Sequence, residues 1–283
     1  MADTTADTGA GAPVFRVDSV SYRYRETVAL AGVSLTIGAG ERVALLGANG
    51  SGKSTLLKML DGLIFPDQGH IRALGHELSA EALKDDGFSR MFRQQVGFVF
   101  QNSDAQLFSP SVREEIAFGP LHLGLSLEEV GRRVDDTLHI MGLEQLADRP
   151  PYNLSGGEKK KVALASVLAI SPDVFLFDEP TAGLDPKTVS FLERMVLQLS
   201  DAGKTVVTAT QDLELARVIA ERVLVLGEDH RLAGEGPPDE VLTDRELLLS
   251  SNLIHDHSHR HDERGLEHIH PHSHLTDHGH QHG

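Results

Sequence analysis

The chain has 283 residues, 40% of them hydrophobic and 24% charged, the profile of a globular protein with one large domain or two small ones. Its 42 acids against 26 bases give a formal charge of −16; a uniformly acidic surface repels phosphate backbones, so no nucleic-acid partner is expected. It holds no Cys, which removes disulfides, thiolate zinc sites, iron–sulfur clusters and cysteine nucleophiles, and with neither a run of roughly 18 apolar residues nor a signal-peptide pattern it is expected in the cytoplasm, reaching a membrane only through a partner and not by direct insertion.

Residues 1–13 are rich in Ala, Asp, Thr and Gly and read as disordered. Residues 14–20 and 33–37 read as strands, and Gly38-Ala39-Gly40 turns the chain into a third, Arg42–Leu46. A glycine-rich loop leads into a helix that starts at Lys53 and stops at Gly62. Residues 96–100 form a short apolar strand. Ser126 with Glu129 spells a capping box for a helix that ends at Gly142, and Ser155 with Glu158 spells a second. Residues 174–177 are a continuous apolar run, as in a buried parallel strand. Asp185-Pro186 opens another helix with Pro in its first turn. Thr205–Thr210 and Arg222–Leu226 are two more strands. Strands alternating with helices predict an α/β fold with a mainly parallel sheet.

Gly47-Ala48-Asn49-Gly50-Ser51-Gly52-Lys53-Ser54 matches G-x-x-x-x-G-K-[ST] at every position, between a predicted strand and a predicted helix. The glycines let backbone N–H groups wrap phosphates without a Cβ in the way, and the helix start adds partial positive charge. Lys53 would reach the β- and γ-phosphates and Ser54 would ligate Mg²⁺. Asn49, Gly50, Ser51, Gly52 and Thr55 are read with them as nucleotide-binding. The spacing does not fit the dinucleotide pattern G-x-G-x-x-G.

Asp178-Glu179 ends the apolar run 174–177, and ligands of parallel sheets bind outside the carboxyl ends of strands. Asp178 would complete the Mg²⁺ shell. Glu179 would act as general base on the attacking water, an effect worth roughly 10²–10⁴ in rate. Alone, the pair could equally cap the turn before Pro180; the upstream phosphate loop favours chemistry. Leu154-Ser155-Gly156-Gly157-Glu158 is a capping box with two glycines that cost helix stability, yet would let a phosphate approach the helix start. One chain with one nucleotide has no need of two such sites. A head-to-tail dimer does.

With these motifs the chain resembles the nucleotide-binding subunit of ABC transporters over about residues 14–245. Residues 47–54 resemble the Walker A motif, residues 174–179 the Walker B motif and residues 154–158 the family signature. The resemblance implies an ABC ATPase fold: a P-loop NTPase core with a mainly parallel sheet, an N-terminal antiparallel β subdomain and an inserted helical subdomain at about residues 102–171. The ATPase domain would span 14–250 and a flexible His-rich tail 251–283. Gln101 would be the Q-loop glutamine, which senses Mg²⁺ and the lytic water and links to the membrane subunit. Ala182-Gly183-Leu184-Asp185 would be the D-loop. Tyr24, with Tyr22 second, would stack on adenine, the alternative being a strand-face aromatic. The implied cofactors are ATP and Mg²⁺. The implied partners are a second ATPase subunit, here an identical one, and integral membrane subunits, with a peripheral location on the cytoplasmic face of the membrane.

Residues 101–108 (Gln-Asn-Ser-Asp-Ala-Gln-Leu-Phe) and 112–120 are similar to the cobalt/nickel branch of energy-coupling-factor ATPases; vitamin-transporting relatives share much of this stretch. In the family it lies where a coupling helix of the membrane protein docks. The implied function is ATP hydrolysis that powers import of divalent metal ions, cobalt or nickel. The alternatives are a vitamin importer, a soluble ATP-dependent switch and a metal-storage protein. One position departs from the pattern: where the family places a switch histidine, this chain has Gln211. Glutamine donates a neutral hydrogen bond, about half as strong as a charge-assisted one, so slower hydrolysis with retained ATP binding is expected.

Eleven of the sixteen histidines close the chain: His255, His257, His259, His261, His268, His270, His272, His274, His278, His280 and His282. Their H-x-H spacing puts neighbouring imidazoles on one side of an extended chain, and imidazole suits Ni²⁺, Co²⁺, Zn²⁺ and Cu²⁺. The alternative is a solvated low-complexity tail. Protonation near pH 6.5 would reverse the segment's charge. His70, His76, His122, His139 and His230 are assigned no role.

Overall fold

The computed structural model describes the backbone of residues 13–260 and 267–273 and the side chains of residues 13–255. Residues 1–12 and His261, His274, His278, His280 and His282 lie outside it. β1 (Phe15–Tyr24) and β2 (Thr27–Ile37) form an antiparallel hairpin. β3 (Arg42–Leu46) then crosses into a second sheet and feeds the glycine-rich loop before α1 (Lys53–Leu60). β4 (Gln68–Ala73) returns to the free side of β1, and β5 (His76–Glu77) completes an antiparallel sheet of order β2-β1-β4-β5. α2 (Asp86–Gln95) runs straight into β6 (Val96–Val99). Then come α3 (Val112–His122), α4 (Leu127–Met141) and α5 (Gly156–Leu168) before the chain re-enters the second sheet as β7 (Val174–Asp178). α6 (Pro186–Asp201), β8 (Thr205–Thr210), α7 (Leu213–Ile219), β9 (Arg222–Leu226) and β10 (Leu232–Gly236) follow. The second sheet has the order β10-β9-β3-β8-β7-β6, parallel except for β10.

The parallel sheet is apolar on both faces because both are covered. Along β7, Val174 and Leu176 join a core with α1 and the antiparallel sheet, while Phe175 and Phe177 join another built from α3, α4, α5 and α6. Along β3 and β9, Ala44, Leu46, Val223 and Val225 face a third cluster. That cluster includes Val241 of α8 (Pro238–Val241), Leu248 of α9 (Arg245–Ser250), Leu253 and Ile254. The expected domain boundary at residue 250 therefore falls short of two buried apolar anchors. Beyond them β11 (Ile254–Arg260) and β12 (Glu267–Ser273) pair antiparallel within the segment read as a flexible tail.

The caps carry most of the helix starts. Ser155 and Glu158 make the full reciprocal box at α5, and Asp185 accepts from Lys187 and Thr188 at α6. Gly142 ends α4 in the left-handed conformation at φ 64°. At Ser126 only half of the expected box forms: its hydroxyl accepts from the Glu129 amide. The Glu129 carboxylate instead holds Arg132 and Arg133 at 2.8 Å, a charge-assisted choice that outcompetes a neutral amide. Among the described residues no helix is long and apolar enough to cross a membrane.

Candidate nucleotide site

The loop between β3 and α1 depends on a missing side chain. Gly52 has φ 111°, and a Cβ there would lie 2.2 Å from the Ala29 carbonyl oxygen. That close approach locks the loop against β2 and leaves amides free at the start of α1. Lys53 is buried, its Nζ donating to Gly47 O at 2.7 Å and Ala48 O at 3.2 Å. The same Nζ stands 3.3 Å from Glu179 Oε1. Ser54 Oγ donates to Asp178 Oδ1 at 2.7 Å, so a hydroxyl and a carboxylate oxygen already meet at the end of β7. That pair of hard oxygen donors is the chemistry Mg²⁺ takes, and the residues fit the ion.

Burial pushes the carboxyls of Asp178 and Glu179 above their ordinary range, with Lys53 opposing it at both. Glu179 adopts φ 42°, a left-handed conformation uncommon for a residue with a Cβ. Its amide donates to Ala209 O at 2.9 Å, and the Gln211 amide donates to its carboxylate. Its Oε1 is buried, with the Lys53 ammonium 3.3 Å away as its ion-pair partner. A buried carboxylate beside the phosphate loop, held by Lys53 at 3.3 Å, is placed to take a proton from water.

These residues open on a cavity of about 350 Å³, lined by Tyr24, Asn49, Lys53, Ser54, Gln101 and Glu179 among others. Gly50, Gly52 and Thr55 also line it, while Ser51 is buried beneath the loop. Tyr24 is 45% exposed at the rim and meets Tyr22 edge-on at 4.9 Å. Ser155, Gly156 and Gly157 stand apart, at the start of α5. Gly157 lies beside Asp185 and Thr188 of the next helix start, and these residues do not line the cavity of their own chain.

Two contributors escape sequence reasoning. His230, in the β9–β10 turn, lines the cavity, with Nδ1 3.3 Å from Ser51 O. It reaches the loop only through the neighbouring position of β9 in the sheet, and nothing local signals it. Lys160 is buried in α5 and donates to Phe100 O at 3.0 Å and Gln101 O at 3.2 Å; burial lowers its pKa to about 8. The one signal for it is its spacing, which puts a lysine on the same helix stripe as the buried Leu164 and Val167. Gln106 adds a second tie, accepting from Phe100 N and donating to Ala163 O. The segment bearing Gln101 is thus clamped to the helix bearing Ser155.

A phosphate-binding loop, a carboxylate pair at a strand end and a buried lysine between them define a nucleotide-hydrolysing α/β protein. The chain belongs to the ABC transporter family: the family profile matches residues 30–182. It is 50% identical over 252 residues to an ABC transporter ATP-binding protein of Methanosarcina acetivorans, covering 88% of this chain and 91% of that one. It is 46% identical over 245 residues to the nickel import ATP-binding protein NikO of Rhodobacter capsulatus, covering 86% and 96%. Among solved structures, cbiO1 of Clostridium perfringens, part of the ABC transporter complex cbiONQ, superimposes with TM-score 0.72 at 36% identity, covering 85% and 95%. The chain is an ATP-binding, ATP-hydrolysing transporter subunit.

Proposed function

We propose that this ATPase powers import of divalent metal ions, nickel or cobalt, as a homodimer bound to integral membrane subunits on the cytoplasmic face. The likeness to NikO and cbiO1 supports the cargo. The observation that carries the coupling is a groove of about 740 Å³ between α2, β6, α3 and α5, lined by Asp61, Arg93, Phe98, Phe118, His122 and Ile170. Phe108, 66% exposed, stacks edge-on against Phe118 at 4.8 Å beside it. An apolar groove with a polar rim fits a helix of a membrane subunit. It adjoins the Gln101 segment, which connects docking to hydrolysis.

ATP phosphates enter residues 47–54, and Lys53 exchanges its carbonyl acceptors for phosphate oxygens. Ser54, Asp178 and Gln101 would hold Mg²⁺, which neutralises phosphate charge when bound. Glu179 accepts the proton of the attacking water, while Gln101 and Gln211 position water and γ-phosphate through neutral hydrogen bonds. The partner's Ser155, Gly156 and Gly157 close the site from the other side. The His-rich C-terminus binds Ni²⁺, Co²⁺ or Zn²⁺.

Recovering the protein from gently solubilised membranes tests the reading. A stoichiometric multi-span partner is expected, together with nickel or cobalt uptake that is lost in Glu179→Gln. That variant should hydrolyse roughly 10²–10⁴ times more slowly while still binding ATP. A soluble dimer without membrane partner, or uptake unaffected by Glu179→Gln, would overturn the proposal.

A further inference from the structure

The C-terminal chain leaves the core at Leu253 and Ile254, 2% and 8% exposed, which pack with Ala44 and Leu46 of β3 and Val223 and Val225 of β9. From that anchor β11 and β12 form a two-stranded ribbon whose register pairs His255 with His272, His257 with His270 and His259 with His268. Directly opposed residues of an antiparallel pair share a face, as do alternate residues along each strand. All six histidine positions therefore fall on one face. The other face carries Ile254, Asp256, Ser258, Arg260, Glu267, Ile269, Pro271 and Ser273. H-x-H spacing alone does not dictate this: a one-residue slip would put the histidines of the two strands on opposite faces.

Opposed positions place their Cβ atoms about 4.5–5.5 Å apart, within reach of one ion at the imidazole–metal distance of about 2.0–2.1 Å. Successive pairs follow at about 6.8 Å, twice the strand rise. An isolated two-stranded ribbon is marginal in water, so ions bridging its strands would fix the pairing and the pairing would fix the ligands. We infer that the ribbon formed by residues 254–260 and 267–273 is a transition-metal site. Its six paired histidines, and not the chain's other late histidines, bind a dication of the imidazole-preferring class, with Ni²⁺ and Co²⁺ inside that class and Cu²⁺ strongest. The inference deepens the metal-import reading but does not need it, since a ribbon can hold metal whatever the transporter carries.

Ni²⁺ titrated into the full chain by calorimetry, with Co²⁺ absorption as a readout of ligand number, tests it. One variant replaces His255, His257, His259, His268, His270 and His272 by Ala. A second replaces His261, His274, His278, His280 and His282 by Ala. A third exchanges neighbours in β11, His257→Ser with Ser258→His, which keeps the histidine count and moves one position to the other face. Circular dichroism checks that each variant keeps its fold. The first and third should weaken Ni²⁺ at least about tenfold, since even outer-shell partners of metal ligands carry about 10–100-fold; the second should bind like the parent. An equal loss in the second variant, or parental affinity in the third, would show that histidine content alone governs binding and would overturn the assignment. Ribbon binding in a chain whose transporter moves no metal would uphold the site and remove the import reading.

Discussion

Glu179 and Gln211 meet through the backbone: the main-chain N–H of Gln211 donates to the Glu179 carboxylate. If the side chain at position 211 faces the γ-phosphate, as proposed, its neutrality would withhold the charge-assisted bond an imidazolium would give. Gln211→His is therefore expected to raise ATP turnover in steady-state phosphate release, and an unchanged rate would mean the glutamine already suffices. His230 makes a separate prediction. Its Nδ1–H donates to Ser51 O, which leaves Nε2 as the nitrogen available to a ligand in the cavity. His230→Ala should weaken ATP binding about two- to tenfold, the reach of one hydrogen bond, with kcat retained. Unaltered affinity in equilibrium binding would remove His230 from the site.

Between elements, the contact that ties α1 to α2 holds a buried titratable carboxyl. Arg93 donates to Asp61 O at 2.7 Å and to Asp61 Oδ2 at 3.2 Å. Burial nevertheless pushes the Asp61 carboxyl from its ordinary 3.8 up to about 7, outweighing the guanidinium. A carboxyl whose pKa rises on folding adds stability that is complete below its unfolded value and is lost as pH rises through the folded one. Asp61 should thus make the protein more resistant to unfolding as pH falls from about 7 towards 4. Asp61→Asn should flatten that part of the thermal-midpoint profile and be the more stable form at pH 8. A variant with the parental slope would place the titration elsewhere.

Elements were legible where a local rule and the tertiary context agree. β3, β8 and β9 are dense in branched apolar residues and lie inside a covered sheet, so their bounds emerge from the sequence. α5 and α6 begin at caps that need only their own turn. β4, β5 and β10 escaped because their stability is borrowed. Gln68–Ala73 buries only Ile71 and Ala73 against β1, and Leu232–Gly236 holds two glycines at a sheet edge. α2 hides among polar residues, burying only Phe92. The site followed the same division. Lys53, Ser54, Asp178 and Glu179 sit on contiguous motifs, whereas His230 and Lys160 join through the sheet and the helix stripe.

For the molecule as a whole, the proposed nucleotide-binding residues fall in two places that one chain keeps apart. Lys53 and Glu179 line the cavity, while Ser155–Gly157 lie at the start of α5, outside its lining. If two copies exchange these two sets of residues, Lys53→Ala and Ser155→Arg chains should each be inactive alone. Mixed, they should regain hydrolysis, because one of the two sites then receives an intact loop and an intact signature. No recovery on mixing, with dimers confirmed by light scattering, would argue against shared sites.

Tyr24 stands half exposed at the rim of the nucleotide cavity in a chain without a single Trp. The molecule is therefore optically dark at the long-wavelength edge of protein emission. An indole placed by Tyr24→Trp would be its sole long-wavelength emitter, set at the rim of the nucleotide cavity. Arrival and departure of each nucleotide could then be timed in a stopped-flow fluorimeter without attaching a dye.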